Sequence, residues 1–184
     1  FQRSDSFALG VCNGCQMIAN LGLVPATKGK YGKREVALMH NTIARVESRW
    51  VNLKMFSKKC VWTKGIDQIQ MPIAHGEGNF YAEKNVMESM KKNDQIVFRY
   101  VREDGSPANG EFPFNPNGAM EDLAAICDES GRILGIMPHP ERFNSFTNGY
   151  DWTLTKEKLI REGKPLPKKG LGLKLFENAV NYFK

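Results

Sequence analysis

The apolar positions along the chain alternate between two periods. Residues 7–11 (FALGV) form a short apolar run, read as a buried strand. A Cys-x-Gly turn follows, and then Met17, Ile18 and Leu21 recur at helical spacing until Gly22 and Pro25 supply a stop. Residues 49–56 (RWVNLKMF) alternate polar and apolar positions, as a half-buried strand does, and 71–74 (MPIA) predict a further short strand. Val86 and Met90, four apart, predict a helix over 85–92, and the β-branched and aromatic 95–101 (QIVFRYV) a strand. A Gly/Pro/Asn-rich loop spans 104–118 and contains FNPNG. Residues 123–127 and 132–137 flank the turn Asp128-Glu129-Ser130-Gly131, predicting a β-hairpin. Residues 151–170 are polar and read as loop with a short helix. A last helix sets Leu173, Phe176, Val180 and Phe183 on one face, expected to pack on the sheet. This mixture predicts a three-layer α/β domain covering 1–184, with 143–184 as a C-terminal loop and packing helix.

Composition changes this picture little. At 184 residues the chain can bury a substantial core, and 41% hydrophobic with 25% charged residues is the ordinary balance of a globular domain. No apolar run approaches the ~18 residues of a membrane span, and the opening FQRSDSF is too polar for a signal peptide. The chain has no initiator Met and opens almost directly into a strand, so its true start is expected to lie upstream. The net charge of +6 comes partly from Lys28, Lys30, Lys33 and Arg34, and from Lys164, Lys168 and Lys169. Neither cluster has interleaved aromatics, which favours solvated loops or a docking face for an acidic partner over nucleic acid. Cys12, Cys15, Cys60 and Cys127 show no disulfide framework, and a reducing cytoplasm is expected.

Chemistry enters at residues 10–16, GVCNGCQ, a C-x-x-C pair between glycines. It has three readings. A structural zinc site needs four ligands, yet Cys60 and Cys127 are isolated and the histidines stand at 40, 75 and 139, so no metal site is expected. A thioredoxin-like dithiol also sits between a strand and a helix, whose N-terminus lowers a thiol pKa. The third is a nucleophile elbow, G-x-C-x-G being the thiol counterpart of G-x-S-x-G. Gly10 and Gly14 then occupy the small positions, and the Asn13 N–H points at a developing oxyanion. An elbow needs a base and an orienting carboxylate, and His139-Pro140-Glu141 offers both. In an extended segment residues two apart project to the same side, and Pro140 keeps this stretch out of helix. Glu141 can hold one imidazole nitrogen while the other faces Cys12, a Cys–His–Glu triad by role.

GVCNGCQ followed by MPHPER resembles the class I (triad) glutamine amidotransferases, whose elbow is G-x-C-x-G-x-Q and whose second motif is H-P-E. PIAHGEG (72–78) and NPNG (115–118), in this order with the two motifs above, resemble the subgroup that serves phosphoribosylformylglycinamidine synthases. The resemblance runs from about Phe7 to Arg142 and implies a flavodoxin-like sheet with flanking helices. It implies Cys12 as nucleophile, His139 as acid–base, Glu141 as its orienter and Gln16 as a holder of substrate glutamine. His75, Glu77 and Asn117 fall in loops near the pocket or the partner face. The implied reaction releases ammonia from L-glutamine for a synthetase subunit, with a small bridging subunit as a further partner. No cofactor is implied here, since ATP and Mg serve the synthetase. Members of the family carry further N-terminal β/α units with a Gly-Gly loop donating a second oxyanion N–H, and this chain is expected to lack them. Another triad amidotransferase, or a non-catalytic interaction module of the same fold, would fit the same motifs less fully.

Overall fold

The computed structural model describes residue 3 and residues 5–184; Phe1, Gln2 and Ser4, at the polar start read above, lie outside the described residues. In chain order the elements are β1 (Ala8–Val11), α1 (Asn13–Asn20), β2 (Val36–Met39), β3 (Glu47–Met55), β4 (Gln68–His75), β5 (Asn79–Ala82), α2 (Lys84–Lys92), β6 (Ile96–Val101), β7 (Leu123–Cys127), β8 (Ile133–Ile136), α3 (Trp152–Arg161) and α4 (Leu173–Tyr182). Six strands form one sheet in the order β1-β8-β7-β6-β3-β4, and β2 and β5 form a separate antiparallel pair. The mixed α/β sheet with flanking helices agrees with the sequence. Its strand sense is more specific, because among the described residues only β1 and β8 pair in parallel while the other neighbours run antiparallel.

Burial explains the arrangement. Every residue of β7 and β8 is buried, the signature of strands covered on both faces. Glycine at 135 lets Cys15 and Val24 approach β8, since a Cβ there would meet the Cys15 sulfur at 3.0 Å. β3 alternates only in part, and it extends two residues upstream of the predicted strand. β4 begins at Gln68, three residues before the predicted strand, and reaches His75, so the motif histidine ends a strand. β2 and β5 were not expected. Each has only four residues, too few to establish alternation against the polar loops around them.

The helices differ from expectation in which face they bury. α1 buries Cys15 and Ala19, whereas Met17 and Leu21 stand 57% and 60% exposed. Gly22 ends it at φ +65°, where a Cβ would collide with the Lys33 backbone. The polar 151–170 segment contains the short helix expected there, the ten-residue α3, followed by loop. α4 corrects the terminal prediction: it buries Leu175 and Asn178, while Val180 faces solvent and the part-exposed Phe183 ring rests edge-on against Phe7. The reason is polar. The Asn178 side-chain amide donates to the carbonyls of Trp62 (2.9 Å) and Lys64 (2.8 Å), fixing the helix by hydrogen bonds that a hydrophobic stripe cannot reveal. Replacing Asn178 with Ala is expected to cost about 2 kcal/mol in urea unfolding by leaving those carbonyls unpaired, whereas Val180→Ala should change stability by less than about 0.5 kcal/mol.

Candidate active site

The site forms where the parallel pair β1–β8 ends. The register Val11↔Ile136 continues one residue further, with the Cys12 N–H donating to the Ile136 carbonyl at 2.8 Å. Cys12 thus leaves β1 beside the segment leading to His139. It does so at φ 51°, ψ −109°, a conformation L side chains rarely adopt, and α1 starts at the next residue. Strain at this junction lifts the side chain above the strand ends, and Asn13 and Gly14 contribute N–H groups in the first, acid-free turn of α1. The two small positions are not equivalent. A Cβ on Gly10 would lie 2.5 Å from the Gly14 carbonyl oxygen and 2.8 Å from Ile18, whereas one on Gly14 meets nothing within 4 Å.

His139 is anchored by its backbone, whose N–H donates to the Pro72 carbonyl of β4 at 2.8 Å. Its Nδ1 lies 2.6 Å from Glu141 Oε1. The extended geometry expected here is corrected: Pro140–Arg142 form a 3₁₀ turn, with the Arg142 and Phe143 N–H groups returning to His139 and Pro140 carbonyls. Pro at the first position of that turn carries no N–H to leave unsatisfied, and the tight turn brings Glu141 back to the imidazole. His139 Nε2 is buried without a hydrogen-bond partner among the described residues. The Cys12 side chain is the strongest influence holding His139 above its ordinary pKa; burial opposes it and Glu141 adds to it. Cys12 therefore acts on the imidazole while Nε2 makes no hydrogen bond among the described residues, the looseness common before a substrate tightens such a pair. Cys12 Sγ instead lies 3.8 Å from the Ala74 carbonyl oxygen.

Cys15 separates from this chemistry. It is wholly buried, and burial, followed by the proximity of Cys12, pushes its thiol far up, away from the reactive thiolate a redox dithiol needs. Among the described residues no group of three or more His, Cys, Asp or Glu is placed to hold a metal ion.

The turn 75–78 supplies the facing wall. Gln16 reaches across from α1 to donate to the Glu77 carbonyl at 2.8 Å, while the Glu77 carboxylate lies 3.4 Å from His40 at the surface. His75 is buried with both ring nitrogens unpartnered. Its pKa is lowered to about 4 by burial and then by His139, so it is neutral at pH 7. Asn117 is wholly buried, donating to the Tyr100 hydroxyl at 3.1 Å and accepting the Ala119 N–H at 3.0 Å. It backs the wall and does not open onto the surface. Asn41 was missed: its side chain donates to the His75 carbonyl and accepts the Gly78 N–H, holding the turn from both ends. A lone Asn in a polar loop carries no sequence signal for that role.

A thiol in a strained strand–helix junction, beside a carboxylate-bound histidine with a free nitrogen, defines a thiol-dependent acyl-transfer centre. The chain belongs to the CobB/CobQ-like glutamine amidotransferase domain family, whose description matches residues 1–183. It is 47% identical over its full length to the phosphoribosylformylglycinamidine synthase subunit PurQ of Methanococcus maripaludis strain S2, spanning 68% of that protein. Over 99% of its length it is 37% identical to the phosphoribosylformylglycinamidine synthase of Dictyostelium discoideum, of which it spans 13%. The solved structure of PurLQS from Thermotoga maritima superposes with a TM-score of 0.64 at 26% identity, covering 96% of this chain and 61% of that one.

Two outcomes test this geometry. Gly10→Ala is expected to destabilise the fold by about 1–3 kcal/mol through overpacking, while Gly14→Ala leaves the urea midpoint unchanged or raised. The second concerns His75. Its folded pKa is depressed, so between about 4 and 6.5 the unfolded chain binds the extra proton; stability is present above that window and lost as pH falls through it. The loss amounts to at most about 3 kcal/mol. His139, with a raised pKa, contributes in the opposite sense. Comparing urea unfolding of the unaltered chain and His75→Asn at pH 4.5 and 7 should show a shallower pH dependence in the variant.

Proposed function

We propose that this chain hydrolyses L-glutamine as the glutaminase component of a phosphoribosylformylglycinamidine synthase, delivering ammonia to an ATP- and Mg-dependent synthetase subunit, with a small bridging subunit as a further partner. The observation that carries the reading is the Cys12 junction facing the His139–Glu141 pair, in a chain whose relatives bear that name. The structure of PurLQS from Thermotoga maritima supports the synthetase as partner.

In this reading His139 Nε2 takes the Cys12 proton, and the thiolate attacks the side-chain amide carbon of glutamine. Negative charge gathers on the amide oxygen, where the Asn13 N–H stabilises it. Removing one such donor typically slows these reactions by a factor of about 10²–10³. Collapse breaks the C–N bond, His139 returns the proton to the departing nitrogen, and ammonia leaves. A water molecule, deprotonated by the same imidazole, cleaves the glutamyl thioester and regenerates the thiol. Glu141 keeps Nδ1 engaged so that Nε2 faces the chemistry. Gln16 ties α1 to the 75–78 turn, and that turn, with His75 and Glu77, shapes the glutamine pocket that Asn117 supports from behind. These steps call on no cofactor, and the reducing cytoplasm is where a reactive thiol and three buried ones persist.

A glutamine-analogue electrophile tests the assignment by mass spectrometry. Cys12 is expected to be modified, Cys12→Ser to abolish labelling and Cys15→Ser to retain it. Equal labelling of both thiols, or a Cys12–Cys15 disulfide that cycles with activity, would return the centre to dithiol chemistry.

A further inference from the structure

The basic cluster of the 28–34 loop finds a specific setting in the fold. Lys28, Lys30, Lys33 and Arg34 line one side of a groove of about 490 Å³, within the volume range of small-molecule sites. The other side is built from β5 and the start of α2, including Tyr81, Glu83 and Ser89. None of the four cations makes an ion pair among the described residues. Of the two carboxylates in the groove, Glu35 accepts the Thr27 N–H (2.7 Å) and hydroxyl (2.5 Å), and Glu35 and Glu83 together leave the four cations in excess. Such convergence of like charge is unfavourable by itself and is relieved by an anion. The groove also holds an aromatic that the loop sequence could not show: Tyr81, 48% exposed, paired with Ala37 across β2–β5.

We propose that this groove binds a nucleoside polyphosphate, its phosphates among Lys28, Lys30, Lys33 and Arg34 and its base against the Tyr81 ring. One exposed ring beside a compact set of cations fits a single base with a short polyanion. A nucleic-acid strand needs successive stacking platforms along a basic track. The concavity of the groove favours a small ligand over the flat docking face an acidic protein would use. The inference stands apart from the glutaminase reading, since none of these residues lies in the Cys12 site.

The test is calorimetric titration of the full chain at low salt with ATP, inorganic triphosphate and a glutamate-rich peptide. ATP and triphosphate should each saturate one site and weaken as salt rises. Lys30→Glu/Lys33→Glu should weaken both by about tenfold or more. Tyr81→Ala should weaken ATP by about fivefold or more while leaving triphosphate unchanged. All substituted residues are exposed, and circular dichroism with urea midpoints checks that the variants fold. No saturable ATP binding, binding indifferent to the double charge reversal, or tighter binding of the peptide than of ATP would each overturn the proposal.

Discussion

The parallel pairing of β1 with β8 is the constraint on which the site depends. Side by side and in the same sense, the two strands deliver their chain ends to one edge of the sheet, where open α/β sheets place their ligands. Cys12 follows one strand, and Met137, Pro138 and His139 follow the other. An antiparallel pairing of the same two sequences would put thiol and imidazole at opposite ends. β7 and β8, buried on both faces, make this pairing rigid, and the His139 N–H bond to Pro72 extends the rigidity to β4. Both reacting side chains therefore hang from regular strands, although each occupies a turn.

Around that edge the protein gathers several buried polar side chains. Asn41, His75 and Asn117 are all buried; Asn41 closes the 75–78 turn, Asn117 braces the 115–119 loop, and the Thr42 N–H donates to the Asn117 carbonyl to join the two through residues 41–42. Hydrogen bonds of this kind specify a single arrangement more than they add stability. His75 shows the balance most clearly, since its ring is kept neutral next to an imidazole whose own pKa is raised. Two histidines a short distance apart thus hold opposite proton preferences, set by burial for one and by a thiol and a carboxylate for the other.

The sequence made much of this legible. The short strands around GVCNGCQ and MPHPER, the hairpin at 128–131 and the elbow itself are local features, and local periodicity with turn chemistry reveals them. What escaped was non-local. β2 and β5 form only because each meets the other, Asn178 decides the face of α4 through carbonyls from another part of the chain, and Asn41 is defined by a turn more than thirty residues away. The His139–Glu141 contact was legible, but its 3₁₀ geometry was not, because Pro140 serves an extended segment and a tight turn equally well. Tyr81 belongs with these, since only the β2–β5 register brings it to the basic loop.

The β1–β8 register also orders events in time. Ala8 pairs with Ile133, so the centre is closed by one of the longest-range pairings in the chain, the kind whose loop-closure entropy is met late. Cys12 is synthesised well before His139, and it acquires the base only when β8 slides in beside β1. Until then Cys12 has no imidazole to activate it, and competence for chemistry arrives together with completion of the sheet.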